Sequence, residues 1–278
     1  MLRPTRTATI REPAVAGSFY PGSAPALAST VDQLLDEAAV SPPRQGRHRL
    51  RGVIVPHAGY VYSGPIAASA YALVRAVHAR PPGVIILGPS HFWPLLGAAL
   101  ASHSAWRTPL GDIVVDAARR ERSLAAGLVV DDAAHASEHS IEVQLPFLQR
   151  LWPDGSWPPV LPIAVGHGPP EALATSLAAI LDDDSLLVVS TDLSHFRSAA
   201  EARPLDARTA AAIEALDQGA IGDDDACGCQ ALRAALVWAR RGGSAVRLLD
   251  LRDSAHTAGS PDRVVGYGAF AIEGPGPA

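Results

Sequence analysis

The chain has 278 residues, 48% hydrophobic and 18% charged, which excludes a disordered chain and supplies enough apolar side chain for a sizeable core. A formal net charge of −5 gives no electrostatic footing for nucleic acid, and all 23 basic residues are arginine, which excludes a lysine Schiff base, a lysine general base and a Walker-type phosphate loop. Cys227 and Cys229 are the only cysteines, too few for a disulfide framework, and no stretch reaches the roughly 18 apolar residues of a membrane helix.

The N-terminal stretch carries Arg3, Arg6 and Arg11 but no apolar run of a signal peptide, so a soluble cytoplasmic protein is expected. Residues 25–39 read as an amphipathic helix with Leu27, Val31, Leu34 and Leu35 on one face. A polar loop follows over 41–49. Gly52–Pro56 (GVIVP) is an apolar run of the kind a buried strand shows, and 65–79 reads as a helix. Gly83–Leu87 (GVIIL) is a second buried strand and 97–101 a third. Residues 141–152 have helical spacing, with Pro146 near the start. Strands at 160–165 and 186–190 bracket a helix at 170–181. Helices are expected at 205–217 and 230–241, an edge strand at 246–250 and a late strand at 264–272, ahead of a frayed tail at 274–278. Apolar strands alternating with helices imply an α/β fold: a mostly parallel or mixed sheet with helices on both faces. No composition shift marks a boundary, so one domain is expected.

Polar residues fall at telling places on this plan. His57 follows GVIVP, His91 follows GVIILGPS, His167 follows VLPIAVG, and Asp192 and His195 follow LLVVST. In open α/β sheets, ligands bind beyond the carboxyl ends of the strands. One histidine after one strand is ordinary; several together point to a polar or metal site. His48, His78, His103 and His256 have no such support and read as surface or structural. His135 has a role only if its segment is a helix facing the site. His139, in SEHSIEVQLPFL, reads equally as part of a helix start, capped by Ser137 or Ser140 with acidic neighbours, or as a general acid–base on the site rim. Cys227 precedes a helix, where backbone N–H groups and the dipole favour thiolate, although Asp223–Asp225 oppose it; the plain alternative is a small buried residue in a turn. GxSxG, HExxH and GxGxxG are all absent.

REPAVAGSFYPG (11–22), VPHAGYVYSGP (55–65), ILGPSHF (86–92), RTPLGD (107–112), EHSIEVQLPFL (138–148), VVSTDLSHF (188–196), ACG (226–228) and GYGAFAI (266–272) occur in an order and spacing that resemble the Memo family, protein B of the AmmeMemoRadiSam system. The resemblance spans about residues 11–272. It implies a fold similar to the class III extradiol dioxygenases, an αβα sandwich with a non-haem metal pocket. Carried over, its metal ligands fall on His57, His91 and Cys227, and further pocket residues, given catalytic roles here, on His139, Asp192 and His195. Cys229 offers a second thiol two residues on. The resemblance implies iron or copper, and the donor set also admits zinc. It also implies an unidentified small-molecule substrate and a radical-SAM or AMMECR-type protein partner, with no nucleic-acid or membrane partner. Asp192 is expected to orient a histidine from behind. Three readings stand: a metal-dependent oxidoreductase, a metal-dependent hydrolase, and a non-catalytic metal-binding or interaction protein.

Overall fold

The computed structural model describes residues 9–39, 48–77 and 80–275. His78, most of the 41–49 loop and residues 276–278 lie outside them, as does the side chain of His48. In chain order come strand β1 (Ile10–Arg11), helix α1 (Ala24–Glu37), β2 (His48–Val55), α2 (Tyr60–Val77), β3 (Val84–Pro89), β4 (Ala98–Leu100), β5 (Ala105–Thr108) and β6 (Gly111–Val114). Then follow α3 (Ala117–Ala125), β7 (Val129–Val130), α4 (Ala133–Ala136), a 3-10 turn at Glu142–Gln144, α5 (Leu145–Leu151), β8 (Val160–Val165) and α6 (Pro170–Ile180). The chain continues with β9 (Leu186–Ser190), β10 (His195–Arg197), α7 (Ala199–Glu214), α8 (Cys229–Arg241), β11 (Ala245–Asp253) and β12 (Val264–Pro275).

The main sheet is mixed, as expected. Its centre is a parallel block in the order β2-β9-β3-β8, with Val55 opposite Ser190 and Leu87 opposite Val189. β12 runs antiparallel to β2 on one flank and β4 antiparallel to β8 on the other. Among the described residues β11 pairs only with β12 and forms the edge anticipated for 246–250. β1, β5 and β6 make a separate small sheet that periodicity did not reveal.

Both faces of the main sheet are buried, so its strands read as unbroken apolar runs, yet their side chains still alternate. Val53, Val55, Val84, Ile86 and Val188 face one core with Leu27, Val31 and Leu35 of α1, Ile66 and Tyr71 of α2 and Phe147 of α5. Ile54, Ile85, Leu87, Leu187 and Val189 face the other, with Leu177 of α6, Ile213 of α7 and Leu232 and Leu236 of α8. Helices thus cover both faces.

Two helices begin earlier than read. α2 starts at Tyr60 with Pro65 inside it, and α7 starts at Ala199 with Pro204 inside it. A proline in a helix orphans the carbonyl four residues back. Here those residues, Val61 and Ala200, are exposed, so water satisfies them. α7 also carries a start signal in its sequence, Ser198 with Glu201 three residues on: Glu201 accepts from the N–H and O–H of Ser198. The expected 141–152 helix splits into the 3-10 turn and α5, with Pro146 in the first turn of α5. The expected tail is partly sheet: Gly274 and Pro275 pair with Arg49 and His48.

Candidate metal centre

The order β2-β9-β3 sets three loops side by side at the carboxyl edge. The loop after β2 carries His57, the loop after β9 carries Asp192, and the loop after β3 carries His91. The turn into α8 brings Cys227 against the β9 loop. There the Cys227 N–H donates to the Asp192 carbonyl (3.3 Å), the Asp192 N–H donates to Cys227 Sγ (3.3 Å), and the Gly228 N–H donates to Thr191 Oγ1 (2.9 Å). Gly228 is required by this approach. A Cβ there would lie 2.8 Å from the Ser190 carbonyl oxygen and from Thr191 Cβ and Oγ1.

One ligand atom from each of His57, His91 and Cys227 falls within 4.8 Å of the other two. His57 Nε2 is 3.2 Å from Cys227 Sγ, which lets one ion reach both at ordinary lengths of about 2.1 and 2.3 Å. The neighbours fix which ring nitrogens face inward. Ser190 Oγ donates its proton to the Ser140 carbonyl (2.6 Å) and accepts from Gln144 Nε2 (2.9 Å). Its remaining lone pair must therefore accept from His57 Nδ1–H (2.9 Å), leaving Nε2 bare toward the thiol. Gln144 is itself held, donating to the Pro56 carbonyl (3.0 Å) and accepting from the Tyr71 hydroxyl (3.0 Å). His91 Nδ1–H donates to the Glu138 carboxylate (2.9 Å), which leaves its Nε2 bare as well.

Glu138 is a site residue that strand-end position does not single out. It is 1% exposed, and its oxygens accept four N–H groups: the ring and backbone of His91 and the backbones of His139 and Ser140. Burial alone would raise its pKa. The His91 hydrogen bond and charge, with the backbone donors, outweigh that and hold it at about 2. The signal available beforehand was its place directly before His139. Asp192 has a different partner from the one expected: its carboxylate accepts from the backbone N–H of His57 (2.7 Å), not from a histidine ring.

His139 stacks on His91, with ring centroids 4.8 Å apart and planes 10° apart, and lies 5.5 Å from the ring of His57. Its backbone N–H and that of Ser140 end on Glu138, so the acidic cap and the site-rim placement both occur. Ser140 does not cap the helix; its hydroxyl donates to the Pro89 carbonyl. Burial lowers the pKa of His139. Burial also lowers that of His57, with the charges of His91 and His139 adding to the effect. Both rings are therefore neutral and fit to ligate.

Burial, then the charge of Asp192, pushes the Cys227 thiol well above its usual range. This reverses the thiolate expected from a helix start: Cys227 lies two residues before α8, and burial dominates. A bound dication reverses the balance again. Burial also pushes Asp192 up to about 6, against the His57 N–H and the charge of His195. His195 donates from Nδ1 to the Leu193 carbonyl (2.8 Å) and joins Asp192 and Cys227 in a second set of ligand atoms within 4.8 Å. Phe196 beside it has φ +61°, a left-handed backbone in a bulky residue at a bulge in the β10–β12 pairing.

The other candidates disperse. Cys229 packs against the second core, points to Asp223 (3.5 Å) and also lines the cleft beside Cys227. His135 is fully buried, bonds to the Ala99 carbonyl and meets Trp106 edge-on. His103 lies 3.6 Å from Asp132, and His256 bonds to Asp253. His167 lines the wall of a cleft of about 450 Å³ that Cys227, His91, Phe92 and Trp93 also line. Phe19 packs on His139 from the N-terminal segment. Arg11 ties that segment down, pairing with Glu142 (2.6 Å) while Glu142 also accepts from Tyr20 and from the N–H groups of Ala14 and Val15. Among the described residues, no helix is long and apolar enough to cross a membrane.

The fold and site define an α/β protein with a histidine–thiol pocket able to hold a metal at the carboxyl edge of a mixed sheet. The Memo family profile, described as Memo-like protein, matches residues 11–271, and the chain belongs to that family. A MEMO1 family protein of Methanopyrus kandleri is 35% identical, covering 94% of this chain and 98% of its own. One from Caldivirga maquilingensis is 32% identical over the same shares. The crystal structure of an uncharacterised protein from Escherichia coli K12 superposes with a TM-score of 0.56, at 13% identity over 81% of this chain and 100% of that one, a likeness of fold alone.

Proposed function

We propose that the protein is a non-haem metal-dependent oxidoreductase, with iron or copper held by His57, His91 and Cys227, acting on a small molecule in the adjoining cleft. One observation carries this reading: two imidazoles turn their Nε2 atoms toward one thiol because Ser190 and Glu138 occupy both Nδ1 atoms. Neutral nitrogen and sulfur donors fit a soft or borderline transition ion better than magnesium or calcium. Bound there, such an ion supplies one-electron chemistry and a Lewis-acidic centre. Glu138 orients His91, while Ser190 and Gln144 do the orienting for His57. His139, neutral and stacked on His91, is the group placed to move a proton at its ring nitrogen. Asp192 and His195 bring further polar atoms within 4.8 Å of Cys227 Sγ.

The test is elemental analysis of protein purified anaerobically, beside a His57→Ala/His91→Ala variant. Iron or copper near one equivalent or above, lost from these ligands in the variant, supports the reading and justifies an oxygen-uptake screen. Zinc lost in the same way redirects the search to hydrolysis. No metal, with failed reconstitution, refutes the reading and leaves a binding role.

A further inference from the structure

The cleft beside Cys227 has a wall that the histidine–thiol set does not use, lined by Phe92, Trp93, His167 and Asp223. Three backbone hydrogen bonds press the loop after β3 onto the loop after β8. The Gly97 N–H donates to the His167 carbonyl (2.8 Å), the His167 N–H to the Leu95 carbonyl (2.9 Å) and the Gly166 N–H to the Gly97 carbonyl (2.8 Å). A Cβ at Gly166 would lie 2.0 Å from the Leu95 carbonyl oxygen, so glycine is required for this approach. The contact brings Trp93 and His167 to one cleft from two different strand ends.

Two aromatic rings are held in water there, Phe92 at 63% and Trp93 at 44% exposed. Trp93 is fixed by its Nε1–H on Asp131 (2.9 Å) and by the Ser90 hydroxyl on its carbonyl (2.8 Å), and Phe92 packs 5.8 Å from the ring of His139. Fixed, exposed apolar faces at a concave site mark a ligand surface, and aromatic faces attract cations. Charge points the same way. The chain has no lysine, and among the described residues no arginine lines the cleft, whereas one carboxylate, Asp223, does. Asp223 Oδ1 accepts from the Cys229 thiol (3.5 Å) and from Arg233 Nη1 (2.8 Å), and these bonds lower its pKa and keep it ionised. Among the described residues no donor reaches its Oδ2, and none reaches the ring of His167.

We propose that the cleft selects a small amine, whose protonated nitrogen rests on Asp223 and His167 against the faces of Phe92 and Trp93 while its apolar remainder extends toward Cys227 and His91. An anion of the same shape meets the Asp223 charge and finds no side-chain cation on this wall to receive it. The inference rests on the oxidoreductase reading above, since it names the class of molecule on which that site acts.

The experiment compares three probes of one shape, 2-phenylethylamine, 2-phenylethanol and phenylacetate, titrated at neutral pH and followed by saturation-transfer nuclear magnetic resonance. Wild type holds the amine about five- to tenfold more tightly than phenylacetate, with the alcohol between them. Asp223→Asn brings the three within about twofold of one another, and Trp93→Leu weakens the amine about threefold. Both positions are exposed, and circular dichroism confirms the fold of each variant. The same preference in the His57→Ala/His91→Ala variant excludes coordination of a probe to an ion. Phenylacetate bound as tightly as the amine, a preference that survives Asp223→Asn, or no binding of any probe overturns the proposal. The two readings fail separately. An amine preference in a protein that takes up no metal leaves this recognition wall standing and refutes the metal centre, and iron or copper without an amine preference does the reverse.

Discussion

Replacing Glu138 by glutamine separates orientation of His91 from all other features of the centre. The amide keeps the shape of the carboxylate but supplies one oxygen and one NH2. Glu138 Oε1 accepts from the His91 ring and from the N–H groups of His139 and Ser140, while Oε2 accepts the His91 N–H. The best amide orientation keeps oxygen at the first position and sets NH2 against the His91 N–H. That loses one charge-assisted bond and leaves a buried donor unpaired, a destabilisation of about 2–3 kcal/mol. For a chain of this size the melting temperature falls by about 3–5 °C. His91 also loses the carboxylate partner that fixes its ring orientation, so metal binding weakens about 10–100-fold. Urea unfolding of the metal-free variant reads the first effect and competition titration with a chromophoric chelator the second. An affinity within about threefold of wild type, in a protein destabilised as expected, would refute the orienting role and reduce Glu138 to a backbone cap.

Three further outcomes follow from the same contacts. Arg11→Met leaves the Glu142 carboxylate buried without its cation, at a cost of about 3–5 kcal/mol; limited proteolysis should then cut within 9–22, and resistance equal to wild type contradicts the tether. Gly228→Ala drives a methyl into the Ser190 carbonyl and Thr191, moving Cys227 off His57; loss of the sulfur-to-cobalt charge-transfer band from a folded, Co²⁺-loaded variant is expected, and an unchanged band counts against the close approach. Burial lowers the pKa of His135 to about 4, against the Ala99 hydrogen bond, while the unfolded residue titrates near 6.5. As pH falls, the unfolded chain binds this proton first. The stability contribution is thus complete above pH 6.5 and lost progressively toward pH 4, to a maximum of about 3 kcal/mol. His135→Gln should flatten the urea-midpoint profile between pH 7 and 4.5 by one proton, and an unchanged slope argues against the assignment.

The sequence determined the strands and most helices of the two cores because apolar runs and helical spacing are local signals. It placed His57, His91, Asp192 and His195 at strand ends for the same reason. It did not determine α2 and α7 fully, since a proline at position 65 or 204 looks like a start until the exposure of the carbonyl behind it is known. Nor did it reveal the small sheet, whose two- to four-residue strands are too short to show a period. Only the tertiary structure decided the strand order. β9 comes late in the chain yet inserts between β2 and β3, and that insertion gathers the His57, Asp192 and His91 loops and leaves His167 on the far strand. Only the tertiary structure decided the chemistry of each donor too. Ser190 and Glu138 lie 133 and 47 residues from the histidines they orient, and burial, a property of the assembled layers, sets the protonation of Cys227 against what its place before a helix alone would favour.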